Sequence, residues 1–112
     1  MSTTSAAPAR RMTTTQAVVA TLAANEADTV FCLPGVQNDH LFYALHQAQN
    51  TIHTRHTRHE HATAYLALGA AMATGKPQVY TVVPGPGFLN TTAARRTPAP
   101  RSPRWPTCSR PR

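Results

Sequence analysis

A chain of 112 residues forms at most one domain, and small domains bury a smaller share of their surface than large ones. The net charge of +7 suggests a nucleic-acid partner, but six arginines follow Ala94, so residues 1 to 94 carry only +1. Two cysteines without metal-type spacing argue against a disulfide framework, and no apolar stretch approaches the roughly 18 residues of a membrane span, so we expect a soluble protein of a reducing cytoplasm.

The first helix is predicted directly after a short N-terminal arm. Residues 1–11 are small, rich in Ser, Thr and Ala, and are expected to be disordered. Thr13 and Gln16 have the spacing of a capping box, in which two side chains satisfy the free N–H groups that open a helix. The domain therefore begins at about Met12.

The middle of the chain predicts a strand, a helix and a weaker strand. The β-branched and aromatic run from Thr29 to Leu33 is too short for a helix, and Pro34 and Gly35 end it. Asn38 or Asp39 can cap a second helix that ends near Asn50, and residues 52–55 are the weaker strand candidate.

A third helix is predicted from about His59 to Thr74, where small residues recur at helical spacing before Gly75 and Pro77. Residues 78–83 form another short apolar run, which predicts a strand. The alternation of helices and strands predicts an α/β fold, a three-layer parallel sheet flanked by helices, because parallel strands need crossover connections.

Composition changes abruptly after Ala94, where arginine and proline dominate. Five prolines after Thr97 block helices and central strands, so residues 95–112 are predicted to be a disordered basic tail. This composition is typical of a GC-rich message translated out of frame, which we keep as a hypothesis. An alternative function follows from the same tail, namely a small basic protein that binds nucleic acid or an anionic surface.

Histidines crowd the segment from His53 to His61, and clustered imidazoles can bind zinc. On a strand, however, His53 and His56 point to opposite faces, and Thr63 stands where an H-E-x-x-H motif needs its second histidine. Solvated or hydrogen-bonded histidines are therefore expected, and a metal module of His53, His56, His59 and His61 is the weaker alternative.

Residues 85–90 form a glycine-rich turn that follows a strand and opens a helix. Asn90 replaces the third glycine of the dinucleotide fingerprint, and no acidic residue follows to hold a ribose. Glu60 begins the third helix. By pattern alone, this carboxylate is explained by the helix dipole, an effect well under about 1 kcal/mol.

Three segments, taken together in order and spacing, resemble the N-terminal, pyrimidine-binding domain of thiamine diphosphate enzymes of the acetolactate synthase type. Residues 30–39 resemble the family's Phe-Gly-x-Pro-Gly loop, residues 58–62 and 67–77 its Arg-His-Glu motif with an Ala-rich helix, and residues 85–90 its Gly-Pro-Gly-x-x-Asn loop. The resemblance covers residues 12–94, which would then be a partial, truncated domain of the thiamine-diphosphate-binding fold.

The resemblance implies thiamine diphosphate as the cofactor and a 2-keto acid as the substrate. It gives Glu60 the catalytic task of hydrogen-bonding N1′ of the aminopyrimidine, in a water-poor site that raises the pKa of the carboxyl. The residues that it places at the cofactor are Pro34, Gly35, Glu60, Gly85, Gly87 and Asn90.

The resemblance also has departures. Cys32 and Val36 replace glycines found in many acetolactate synthases, which leaves the donor and acceptor substrates undecided, as is flavin use. The Gly-Asp-Gly segment that holds Mg²⁺ in the family's C-terminal domain does not occur in this chain, and the family's sites form between subunits of homodimers or tetramers. We therefore expect a fragment that is inactive alone and has no membrane partner.

Overall fold

The computed structural model describes residues 10–97. Five helices, a short 3₁₀ turn and three strands follow one another in this part of the chain. In chain order they are α1 (Thr14–Ala24), β1 (Thr29–Cys32), the 3₁₀ turn (Val36–Asn38), α2 (Asp39–Gln47), β2 (His53–His56), α3 (Glu60–Thr74), β3 (Val79–Thr81), α4 (Pro86–Leu89) and α5 (Thr92–Arg96).

The predicted capping box opens α1. The backbone N–H of Gln16 donates to Thr13 Oγ1 at 3.2 Å, and the N–H of Thr13 donates to Gln16 Oε1 at 3.0 Å. At the other end of the long helix α3, Gly75 adopts the left-handed conformation with φ 68°, which glycine enters at little cost. Both helix boundaries therefore agree with the sequence prediction.

Within the described residues the strands form one parallel sheet in the order β2-β1-β3. The register pairs Val30 with Thr54 on one side and with Val79 on the other. Strand β2 lies one residue later than predicted, because Ile52 is buried in the preceding turn and pairing begins at His53. The predicted α/β fold with a parallel sheet is confirmed.

Helices cover both faces of the sheet. On one face, α1 and α2 pack together, and the core is a cluster of six buried side chains: Val19, Val30, Cys32, Ala44, Leu45 and Ile52. Helix α3 packs against β1 and β3 through the buried residues Ala64 and Ala67 and also contacts α5. The connections β1-α2-β2 and β2-α3-β3 run in opposite directions along the sheet, and since such crossovers are as a rule right-handed, α2 and α3 belong on opposite faces.

Helix α5 crosses the predicted domain boundary between residues 94 and 95, since it continues through Arg96. Ala94 is buried, and Arg95 lies over the ring of Phe88 with its guanidinium carbon 5.2 Å from the ring centroid. The rest of the predicted tail, residues 98–112, and most of the predicted arm, residues 1–9, lie outside the described residues. Across residues 10–97, the helices are too short or too polar to cross a bilayer.

Candidate functional site

The three loops that follow the strands lie at the same edge of the sheet. They contain residues 33–35 after β1, residues 57–59 after β2 and residues 82–85 after β3. The sheet order places β1 between the other two strands, so the connections that leave β1 and β2 run in opposite directions. Ligands of open parallel sheets bind in the crevice outside the carboxyl ends of strands at such a reversal. All six sequence-predicted site residues lie at this carboxyl edge.

Hydrogen bonds within the loop after β2 fix the residue at which helix α3 begins. The backbone N–H of His61 donates to His59 Nδ1 at 3.1 Å, so the His59 side chain caps the helix. Thr63 is fully buried, and its hydroxyl bonds the Thr57 hydroxyl and donates to the His59 carbonyl at 3.2 Å. These contacts place Glu60 at the first position of α3, facing the loop after β3.

Glu60 is half-buried, and its carboxylate lies against helix α4. Asn90 Nδ2 donates to Glu60 Oε2 at 3.2 Å. Gly87 is buried beside the same carboxylate, since a Cβ at Gly87 would lie 3.2 Å from Glu60 Oε1. The structure thus brings together Glu60, Gly87 and Asn90, which are up to 30 positions apart in the sequence.

Val83 joins the loop after β1 to this group. A Cβ on Gly87 would meet Val83 Cγ2 at 2.6 Å, and a Cβ on Gly35 would overlap Val83 Cγ1. Gly35 is extended, with φ −161°, so the need for glycine there comes from the close approach and not from the backbone angle. Gly85, with φ 76° and ψ −127°, instead occupies a conformation that side chains disfavour.

The loop after β1 presents an unpaired donor. The backbone N–H of Gly35 donates to Asn38 Oδ1 at 2.8 Å, while Asn38 Nδ2 is buried and finds no acceptor among residues 10–97. Pro34 is exposed at the same edge, directly before Gly35. Asn38 is therefore a polar group that sequence reasoning used only as a helix cap.

The electrostatics of Glu60 differ from the expectation. Its backbone N–H, the side-chain amide of Asn90 and the charge of His59 lower the pKa of the carboxyl, and these outweigh the opposing effect of burial. The expectation that a water-poor site raises this pKa is therefore wrong for this chain. Hydrogen-bond donors aimed at a carboxylate stabilise its ionised form.

A second set of contacts anchors α4 and α5 to the sheet. Thr91 is fully buried, and its hydroxyl donates to the Phe88 carbonyl at 2.7 Å and accepts from Tyr80 Oη at 3.3 Å. Since Tyr80 belongs to β3, this bond ties the turn that carries Asn90 to the sheet. Thr91, Thr63 and Val83 have no chemical signature in the sequence, because only their three-dimensional neighbours make them important.

The histidine-rich segment does not assemble a metal centre in the part of the chain that the structure describes, where no three His, Cys, Asp or Glu side chains are arranged to hold an ion. His59 caps α3, and the ring of His61 meets Tyr65 edge to face at 4.8 Å. His56 Nδ1 lies 3.8 Å from the sulfur of Cys32, a free thiol whose pKa is raised by burial.

Comparison with known proteins gives two matches. Residues 12–94 match the family model described as "Thiamine pyrophosphate enzyme, N-terminal TPP binding domain". The chain is also 39% identical over 89 residues to the "Probable 2-ketoarginine decarboxylase AruI" of Pseudomonas aeruginosa, an alignment that covers 78% of this chain and 15% of that protein. The chain thus spans a small part of the length of this curated relative.

Proposed function

Because the chain belongs to the thiamine pyrophosphate enzymes through their N-terminal TPP-binding domain, we propose that its carboxyl edge forms the pyrimidine side of a thiamine diphosphate site. Glu60 is the residue that contacts the aminopyrimidine ring. One observation carries the proposal: the Glu60 carboxylate is held against Gly87 and Asn90 at the edge where parallel sheets bind ligands.

The residues at this edge fit an aminopyrimidine. A carboxylate accepts hydrogen bonds, so it can pair with a ring nitrogen that shares a proton with it. Gly35 and Gly87 lack the Cβ atoms that would fill the space around Val83 and Glu60, so backbone can approach a flat ring closely. Asn38 Nδ2 adds a buried donor at the same edge.

When bound, the cofactor would supply a stabilised carbanion for bond making and breaking at the carbonyl carbon of a substrate. The chain's own contribution is to orient the pyrimidine, to hold a carboxylate at one ring nitrogen and to restrict water at that atom. Pro34, Gly35, Gly85 and Gly87 form the walls, and the ionised Glu60 carboxylate accepts a hydrogen bond from the protonated ring nitrogen. We propose that the diphosphate and Mg²⁺ are bound by a separate domain, because these 112 residues contain no Gly-Asp-Gly segment.

We propose 2-keto acids as the substrate class of the complete enzyme. The matched relative is named as a 2-ketoarginine decarboxylase, and both decarboxylation and an acetolactate synthase-like carboligation start from a 2-keto acid. Without the other half of the site we expect no turnover from this chain alone. A partner subunit that completes the site, and a reducing compartment that suits the free thiol of Cys32, belong to the same proposal.

Thiamine binding to the chain tests the role of Glu60. We expect thiamine to shift the amide resonances of Gly35, Gly85, Gly87 and Asn90 in an NMR titration. Glu60→Gln should weaken binding about tenfold or more, because a hydrogen bond to a charged group is stronger than one to a neutral amide.

The chain has one other glutamate, which provides the matched control. Glu26 is exposed and lies after α1, so Glu26→Gln removes the same charge away from the site and should leave the affinity unchanged. Equal thiamine affinity in the Glu60→Gln and Glu26→Gln variants would remove Glu60 from the site.

A further inference from the structure

We propose that Asn90 is a positioning residue that acts through Glu60: its side-chain amide donates to the carboxylate and holds it against α4. The role of this contact in cofactor binding rests on the proposed function, whereas the contact between Asn90 and Glu60 does not depend on it. Sequence reasoning placed Asn90 at the cofactor, whereas the described contact of its side chain is with the carboxylate. Its task is therefore to prepare Glu60 rather than to bind the ligand.

The contact fixes one carboxylate oxygen. Asn90 Nδ2 donates to Glu60 Oε2 at 3.2 Å, at the long end of the range of N–H···O hydrogen bonds. The other oxygen, Oε1, faces the buried Gly87. With Oε2 bonded and Oε1 beside the buried Gly87, the carboxylate has fewer accessible orientations, so its direction is set before any ligand arrives.

The backbone of Asn90 is itself held in place. Its N–H donates to the Pro86 carbonyl at 3.0 Å, and the following residue, Thr91, is fully buried and bonded to both Phe88 and Tyr80. An exposed asparagine on a free loop would lose much of its bond energy in side-chain and backbone entropy. Here the turn is ordered by other contacts, so the amide is preorganised.

Charge supports the same assignment. Residues 86–89 of α4 contain no ionisable side chain, so a neutral amide is the group that this helix turn offers to the carboxylate. The titratable neighbour is His59, whose charge lowers the pKa of Glu60 together with the backbone N–H of Glu60 and the Asn90 amide. An amide donor prefers the ionised carboxyl because a protonated oxygen accepts less strongly.

The test is the titration of Glu60 without any cofactor. With only two glutamates in the chain, ¹³C labelling of the glutamate carboxyls gives two signals, and Glu60→Gln identifies which is which. We expect Asn90→Ala to raise the titration midpoint of Glu60 and to leave that of Glu26 unchanged. Asn90→Asp, which keeps the shape but replaces the donor with a like charge, should raise it further.

Asn50→Ala is the matched control, because Asn50 is exposed in the turn before β2. It should move neither signal. A Glu60 midpoint that is the same in wild type, Asn90→Ala and Asn90→Asp would overturn the inference, as would an equal shift of Glu26. If the amide spectrum shows that Asn90→Ala does not fold, the Glu60 midpoint of the isosteric Asn90→Asp variant decides between the two outcomes.

The two proposals fail separately. If the midpoint rises as expected but thiamine does not bind, Asn90 still controls Glu60 and the proposed function is wrong. If thiamine binds through Glu60 and the midpoint does not move, the proposed function stands and the role of Asn90 is wrong.

Discussion

At the scale of single residues, the site depends on two glycines whose missing Cβ atoms leave space for Val83. Gly35, in the loop after β1, and Gly87, in α4, both approach Val83, and a Cβ on either would overlap a methyl group of this valine. Gly69, in the middle of α3, has open space where its Cβ would be. An alanine substitution should therefore lower the free energy of unfolding at Gly35 or Gly87 but not at Gly69.

Gly87→Ala is expected to destabilise the chain by about 1–3 kcal/mol, the usual cost of overpacking. Val83→Ala in the same chain removes the clashing methyl, so the double variant should recover most of the difference between Gly87→Ala and wild type. Gly69→Ala is the control and should stabilise by about 0.5–1 kcal/mol, because alanine favours helix interiors. Urea unfolding measures all four proteins.

A destabilisation by Gly87→Ala that Val83→Ala does not relieve would contradict the close approach at Val83. Equal changes in the free energy of unfolding for Gly87→Ala and Gly69→Ala would contradict it as well. Both changes would then come from replacing a glycine and not from contact with Val83.

The residue scale is also where sequence reasoning was least accurate. The position of Glu60 at the start of a helix followed from the pattern of small residues after it, and its role followed from resemblance. The lowering of its pKa did not follow from the sequence. It depends on Asn90 and on how the Glu60 side chain is rotated toward a helix turn 30 positions away. A capping histidine was equally hidden, since His59 is not among the preferred capping types.

At the scale of elements, the first turn of α3 sets the orientation of Glu60. Thr63 is buried where its hydroxyl bridges Thr57 and the carbonyl of His59, so the loop after β2 and the first turn of α3 form one unit. The helix was predictable from its periodicity and from Gly75. The bridge was not, because a threonine on a helix is an ordinary core or surface residue until its partner is known.

Thr63→Val is expected to destabilise the chain by about 1–3 kcal/mol, because the fully buried hydroxyl loses two hydrogen bonds that each contribute about 0.5–1.5 kcal/mol. Thr63→Ser keeps the hydroxyl and should lose only about 0.8 kcal/mol for the missing methyl. The Glu60 amide resonance should move in Thr63→Val and stay in Thr63→Ser. Thr14→Val, at an exposed position of α1 where the hydroxyl makes no hydrogen bond to the described residues, is the control and should change stability by less than about 0.5 kcal/mol.

A Thr63→Val variant as stable as Thr63→Ser, with an unmoved Glu60 resonance, would show that the bridge does not position the helix start.

At the scale of the whole molecule, the parallel sheet was predictable from the sequence, whereas the order of its strands was not. The net charge suggested a nucleic-acid partner until its position in the tail was considered. Alternating elements required parallel strands, but the connection from β2 to β3 passes across β1, and no local pattern in the sequence specifies that. Strand β2 was the least certain because its residues, His53 to His56, are mostly exposed at the sheet edge and show no apolar alternation. Six of the positive charges lie in residues 95–112, of which the structure describes only residues 95–97.

The central claim is that the carboxyl edge accepts the pyrimidine half of the cofactor, and the two halves of thiamine test it directly. The chain is titrated by NMR with the hydroxymethyl aminopyrimidine half and, separately, with the hydroxyethyl thiazole half. We predict that the pyrimidine half alone shifts the amides of Gly35, Gly85, Gly87 and Asn90, and that Glu60→Gln abolishes these shifts. Shifts of the same residues by the thiazole half, or pyrimidine-induced shifts that survive Glu60→Gln, would contradict the account.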